Sequence, residues 1–149
     1  DLKLLGVTGT HGKTTTSSLL AHVLKSAGRD PSFCVGGVVP NYQTNADCGE
    51  GEYFVAELDE SDGSFQKFRP YGAIITNIGS DHVDHYGTKE NLVGAIKKFI
   101  GQVESSDHLF WCGDNMYLQE ISPPGISFGF GDQCELRAYN FMQEGWGLC

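Results

Sequence analysis

Residues 9–15 read Gly-Thr-His-Gly-Lys-Thr-Thr and lie between a short, nearly continuous apolar run, residues 2–7, and a segment whose apolar positions Leu19, Leu20, Val23 and Leu24 recur at helical spacing. A continuous apolar run bounded by glycines suits a strand buried on both faces, as parallel sheets require. Gly28 sits where a left-handed residue would end the following helix. The chain therefore opens with strand, glycine loop and helix. In that unit, successive backbone N–H groups and the helix N-terminus can converge on one anion.

The residue types within the loop fit that role. Gly9 and Gly12 allow close backbone approach to phosphate oxygens, Lys13 can reach the β and γ phosphates of a nucleotide, and the Thr14 hydroxyl can ligate Mg2+. Thr10, His11 and Thr15 complete the expected nucleotide-binding loop. The spacing departs from G-x-x-x-x-G-K-[ST], because Val7 stands where that pattern has its first glycine and Gly6 is one position too early. An ordinary βα turn with a solvated lysine is the plain alternative. Composition sharpens the choice: 10 Lys+Arg against 19 Asp+Glu give a net charge of −9, which opposes binding to nucleic acid or anionic lipid. A polyphosphate bound here needs a focused cation, which Lys13 supplies, or a divalent ion.

Further strands are expected at residues 32–35, 53–57, 73–77 and 108–112. Residues 91–103 form an amphipathic helix pattern, with Leu92, Val93, Ile96, Phe99 and Ile100 on one face. This alternation predicts an α/β fold with a mostly parallel sheet flanked by helices. After Pro123-Pro124 the pattern changes to short strands, 126–130, 136–141 and 146–149, with a turn at Glu144-Gly145, predicting a small antiparallel section at the C-terminal end. The 149 residues suit one domain. A chain that starts without Met and stops inside a predicted hairpin is expected to be part of a larger protein. No apolar run approaches the roughly 20 residues of a membrane span, so no membrane insertion is expected. Five cysteines with no C-x-x-C pair point to reduced thiols and a cytoplasmic setting.

Two polar clusters follow predicted strands, at the sheet edge where open α/β folds bind ligands. Glu57 ends the apolar run 53–57 and is the acid expected to be held near Lys13 and Thr14 as a metal ligand. Asp59, Glu60 and Asp62 read equally well as a solvated turn. Residues 76–87, Thr-Asn-Ile-Gly-Ser-Asp-His-Val-Asp-His-Tyr-Gly, open onto the same edge. Histidine is an uncommon partner for hard Mg2+, so chemistry alone leaves His82 open as a ligand, and His85 and Tyr86 open as capping or packing residues.

Taken together, GTHGKTTT, AELDESDGSF, TNIGSDHVDHYG and CVGGVVPNYQTNA resemble the Mur ligases, the ATP-dependent amide-forming enzymes of peptidoglycan precursor synthesis. Within that family the motif versions are most similar to the alanine-adding branch. The resemblance implies a three-domain ligase of which residues 1–149 are the central, phosphate-binding-loop ATPase domain, incomplete at its C-terminal end. It further implies ATP and Mg2+ as cofactors and UDP-N-acetylmuramate and L-alanine as small-molecule substrates. On the matching positions, Lys13 attends the phosphates, Thr14 and Glu57 share one Mg2+, and His82 holds a second, so that Lys13, Glu57 and His82 carry the chemistry. Sister ligases have a carbamylated lysine on the next helix. Here Ile96 takes that place and Lys97 falls one residue on, about 100° around the helix, in agreement with the alanine-adding branch, which also lacks that lysine. Two alternatives stay open: the muropeptide-recycling branch of the same family, and a phosphate-loop switch module without ligase activity.

Overall fold

Six parallel strand pairings and one antiparallel pairing build the main sheet of the computed structural model, which describes residues 2–61, 63–79 and 86–140 together with strand residues 143–144 and 147–148. The strands are β1 (Lys3–Thr8), β2 (Ser32–Val39), β3 (Thr44–Asp47), β4 (Tyr53–Glu57), β5 (Gly72–Ile75), β6 (Leu109–Cys112), β7 (Ile126–Gly129) and β8 (Leu136–Arg137). Their spatial order is β3-β2-β4-β1-β5-β6-β7-β8. A separate two-stranded antiparallel ribbon pairs β9 (Gln143–Glu144) with β10 (Gly147–Leu148).

Alternation along β1 sends side chains to two cores. Leu5 and buried Val7 face helix α1 (Lys13–Ser26), among Ala21, Phe33, Val35 and Val55. Leu4 faces the opposite layer, where helix α2 (Lys89–Ile100) sets Leu92, Ala95, Ile96 and Phe99 against Ala73, Ile75 and Leu109. Both faces of β1 are thus covered, which is why its sequence is a run instead of an alternation. Thr88 caps α2, its hydroxyl accepting from the Asn91 N–H. Gly28 takes a left-handed φ of 71° at the end of α1, as its place in the sequence predicted. Beyond α1, on the same face, Leu5, Leu20, Ile74 and Phe110 line an open apolar recess of about 200 Å³.

The departures from expectation are local. β2 is longer than predicted and turns back through β3, whose sequence Thr-Asn-Ala-Asp carries no apolar alternation. A short helix, α3 (Met116–Ile121), joins β6 to β7. β7 and β8 extend the parallel sheet, so antiparallel pairing near the C-terminal end is confined, among the described residues, to β9 and β10. The four described cysteines, Cys34, Cys48, Cys112 and Cys134, are free thiols, and no helix among the described residues is long and apolar enough to cross a membrane.

Candidate nucleotide site

The loop between β1 and α1 is clamped from the side by the end of β5. Asn77 Oδ1 accepts from the His11 N–H at 2.9 Å, its Nδ2 donates to the His11 carbonyl at 2.8 Å, and its carbonyl accepts from the Thr10 N–H at 3.1 Å. Thr76 Oγ1 donates to the His11 carbonyl at 2.7 Å, and Thr10 Oγ1 accepts from the Gly79 N–H at 2.7 Å. This clamp also explains Gly9. At φ 129°, a Cβ there would lie 2.3 Å from Thr76 Oγ1 and 2.7 Å from the Asn77 carbonyl oxygen. Gly12 then enters α1 at φ 84°, with nothing within 4 Å of a Cβ position. The glycines therefore differ in purpose: Gly9 makes room for protein backbone, and Gly12 leaves space open.

That space is a polar hollow of about 380 Å³ lined by Thr10, His11, Gly12, Lys13, Thr14, Thr15 and Glu57. Six of its seven lining residues come from the loop and the first turn of α1, where partial positive charge accumulates. Glu57 arrives from the end of β4: register places it opposite Val7 of β1. Its Oε1 accepts from Thr14 Oγ1 at 3.1 Å and its Oε2 from the Gly36 N–H of β2 at 2.6 Å. A Cβ on Gly36 would meet that carboxylate at 2.8 Å. Thr14 and Glu57 thus present two hard oxygens side by side at the hollow. Mg2+ in phosphate sites takes one or two protein oxygens and fills its octahedron with water and phosphate, so this donor pair fits it. Among the described residues no three His, Cys, Asp or Glu side chains gather as a metal-ligand group.

Lys13 is held more tightly than a solvated lysine. Its Nζ donates to the Gly9 carbonyl at 2.7 Å and lies 3.4 Å from the Thr10 carbonyl, 3.1 Å from Glu60 Oε2 and 3.8 Å from Asp59 Oδ1. Glu60 is buried, at 1% exposure. The solvated-turn reading of the acidic run therefore holds for Asp59, whose side chain is 57% exposed, and fails for Glu60. The Tyr86 hydroxyl donates to the Glu60 carbonyl oxygen, and Asn91 Nδ2 of α2 holds the Tyr86 carbonyl at 2.8 Å.

The sequence-predicted residues Gly9, Thr10, His11, Gly12, Lys13, Thr14 and Thr15 lie around one hollow, with Glu57 on Thr14. His82, like Asp62 and His85, lies outside the described residues. Ile96 is fully buried in the core and Lys97 is exposed. Gly36, Thr76 and Asn77 carry positioning roles that sequence reasoning did not assign, although Thr76 and Asn77 open the third motif.

A mostly parallel sheet whose first strand runs through a Gly-Lys-Thr loop into a helix, with a neighbouring strand's terminal acid on the threonine, defines the phosphate-binding-loop class of α/β domains. The profile described as "Mur ligase middle domain" matches residues 7–144, and the chain belongs to the Mur ligase family. It is 51% identical over 147 residues to the UDP-N-acetylmuramate--L-alanine ligase of Protochlamydia amoebophila (strain UWE25), covering 98% of this chain and 32% of that protein. Among solved structures it is similar to the UDP-N-acetylmuramate-alanine ligase of Thermotoga maritima, with 31% identity and a TM-score of 0.77 over 87% of this chain and 29% of that one. It is also similar to the UDP-N-acetylmuramate:L-alanyl-gamma-D-glutamyl-meso-diaminopimelate ligase from Neisseria meningitides, with 31% identity and a TM-score of 0.76 over 86% of this chain and 46% of that one. The chain spans about a third of the length of the curated relative.

Proposed function

We propose that this chain is the ATP- and Mg2+-binding part of a bacterial cytoplasmic ligase that joins L-alanine to UDP-N-acetylmuramate in peptidoglycan precursor synthesis. The observation that carries the reading is the pairing of Thr14 Oγ1 with Glu57 Oε1 at 3.1 Å beside a loop hollow. The 51% identity to an alanine-adding ligase supports the choice of substrate. In this reaction the lactyl carboxylate attacks the γ-phosphorus of ATP, giving an acyl phosphate and ADP. The L-alanine amine then attacks the acyl carbon, the C–N bond forms, phosphate leaves and the amine loses a proton.

The chain's contribution is positioning and neutralisation. The Gly9–Thr15 loop presents its N–H groups to the phosphates, and Lys13 offsets charge on the transferring phosphoryl group. Thr14 and Glu57 would hold Mg2+, which when bound neutralises phosphate charge. His82 belongs to this proposal on its motif alone, as a ligand of a second Mg2+.

The test is ADP release by the intact protein with UDP-N-acetylmuramate. Stimulation by L-alanine and not by the tripeptide L-alanyl-γ-D-glutamyl-meso-diaminopimelate is expected, with nucleotide binding strongly weakened in Lys13→Ala. Release that needs no muramyl nucleotide would overturn the ligase reading in favour of a general NTPase or switch, and stimulation by the tripeptide would assign the recycling activity.

A further inference from the structure

Glu60 is a buried carboxylate that the proposed reaction does not use. It faces the one lysine of the phosphate loop, at 3.1 and 3.5 Å from Nζ. Two bonds anchor its main chain there. The Tyr86 hydroxyl and the Gly63 N–H, the latter at 3.1 Å, both bond to its carbonyl oxygen, and Tyr86 is itself tied to α2 through Asn91. The Glu60 main chain is therefore tied to α2 through Tyr86, whereas Lys13 sits where the loop enters α1. The Lys13 ammonium directs its remaining bonds to the Gly9 and Thr10 carbonyls of its own loop, so a phosphate that recruits Lys13 must compete with a buried anion.

We propose that Glu60 is a counter-ion latch on Lys13 that makes nucleotide binding conditional on a divalent cation. The inference rests on the nucleotide reading of the site. Bare ATP brings a highly charged phosphate tail towards a hollow lined by Glu57, with Asp59 and Glu60 close behind on Lys13 and Lys13 engaged by Glu60. Its phosphates then meet carboxylate repulsion and a lysine held elsewhere. With Mg2+ on Thr14 and Glu57, part of that repulsion is removed and Lys13 is exchanged from one anion to another. Glu60 thus acts through Lys13 as a positioning residue.

The test compares the affinities of the intact protein for ATP in EDTA and for MgATP, by calorimetric titration, in the parent, Glu60→Gln, Glu60→Asp and Lys13→Ala. Glu60→Gln is expected to tighten metal-free ATP by about tenfold, the scale of a lost charge-assisted contact, and MgATP by less, so that the ratio of the two affinities shrinks. Glu60→Asp draws the carboxylate back by about one C–C bond, about 1.5 Å, and should shrink the ratio to a smaller extent. A merely structural role for Glu60 would weaken both affinities together and leave their ratio unchanged. That outcome, or looser binding of metal-free ATP to folded Glu60→Gln, overturns the latch. If Glu60→Gln fails to fold by circular dichroism, the ratio in Glu60→Asp decides in the same way. A parent that binds neither form of ATP, or a Lys13→Ala variant that binds both as the parent does, overturns the nucleotide reading itself.

Discussion

Gly36→Ala separates metal positioning from folding. Gly36 lies within β2, and its φ is not in the left-handed region, so alanine meets no backbone strain. The added methyl would instead meet Glu57 Oε2 at 2.8 Å, Oε1 at 2.9 Å and Cδ at 3.0 Å. To reach an ordinary contact of 3.4 Å the carboxylate must retreat by 3.4 − 2.8 = 0.6 Å, and its 2.6 Å bond from the Gly36 N–H is stretched or lost. A hydrogen bond to a charged group contributes about 1.5–3 kcal/mol, and the Gly-to-Ala change returns about 0.4–1 kcal/mol through the unfolded chain. The net destabilisation is then about 1–2 kcal/mol, or about 2–8 °C in Tm for a chain of this size. Mg2+ tolerates displacement poorly, with ligands at about 2.0–2.1 Å in a near-ideal octahedron, so MgATP affinity should fall about tenfold or more while ATP in EDTA changes by less than about threefold. Thermal denaturation and calorimetric titration of the same preparation measure both quantities. An MgATP affinity within about twofold of the parent, at the expected Tm, would refute the claim that Glu57 is held in place to meet the metal.

Gly9→Ala should behave oppositely, because its Cβ meets the fixed backbone of Asn77 as well as Thr76 at φ 129°. A loss of about 2–4 kcal/mol in urea denaturation is expected, and a loss below about 1 kcal/mol would show that the Asn77 clamp yields easily. A second site concerns pH: the Asp114 carboxylate accepts from the Phe130 N–H at 2.6 Å and the Gly131 N–H at 2.9 Å, which hold its pKa below the ordinary carboxylate value. A carboxyl lowered in the folded state stabilises above its unfolded pKa of about 3.9 and loses that contribution as pH falls through the folded value. Asp114→Asn should therefore lower stability at pH 7 and fall less steeply than the parent below about pH 4; parallel urea-midpoint curves across that range would contradict this account.

The fold was legible wherever burial on two faces left a mark in sequence. β1, β4 and α2 read directly because a strand covered on both sides must be apolar throughout, and α2, packed on one side, must be apolar on one face. β3 was not legible because an edge strand's pairing rests on backbone hydrogen bonds, and Thr-Asn-Ala-Asp leaves no pattern of burial. The same physics governs the site. Gly9 to Thr15 read as a loop because each residue type has a local reason, whereas Glu60 sits in an acidic run that looks solvated from within. The approach of Lys13, forty-seven positions away, helps to make its burial tolerable, since a buried carboxylate needs a partner that local sequence does not display.

Strand order explains why these distant residues meet. The chain leaves β1, crosses through α1 and re-enters the sheet at β2, two places away, and the gap between them is filled by β4. The first turn of α1 therefore begins above the C-terminal end of β4, and the residue ending that strand falls between Thr14 on the helix and Gly36 on β2. From β4 the chain moves to the other side of β1 and enters β5, whose end supplies Thr76 and Asn77. The loop thus sits at the point where connections diverge to opposite sides of β1, the crevice in which open α/β sheets bind ligands. An acid ending β4 and a polar pair after β5 meet at the loop as consequences of that order, whatever their distance along the chain.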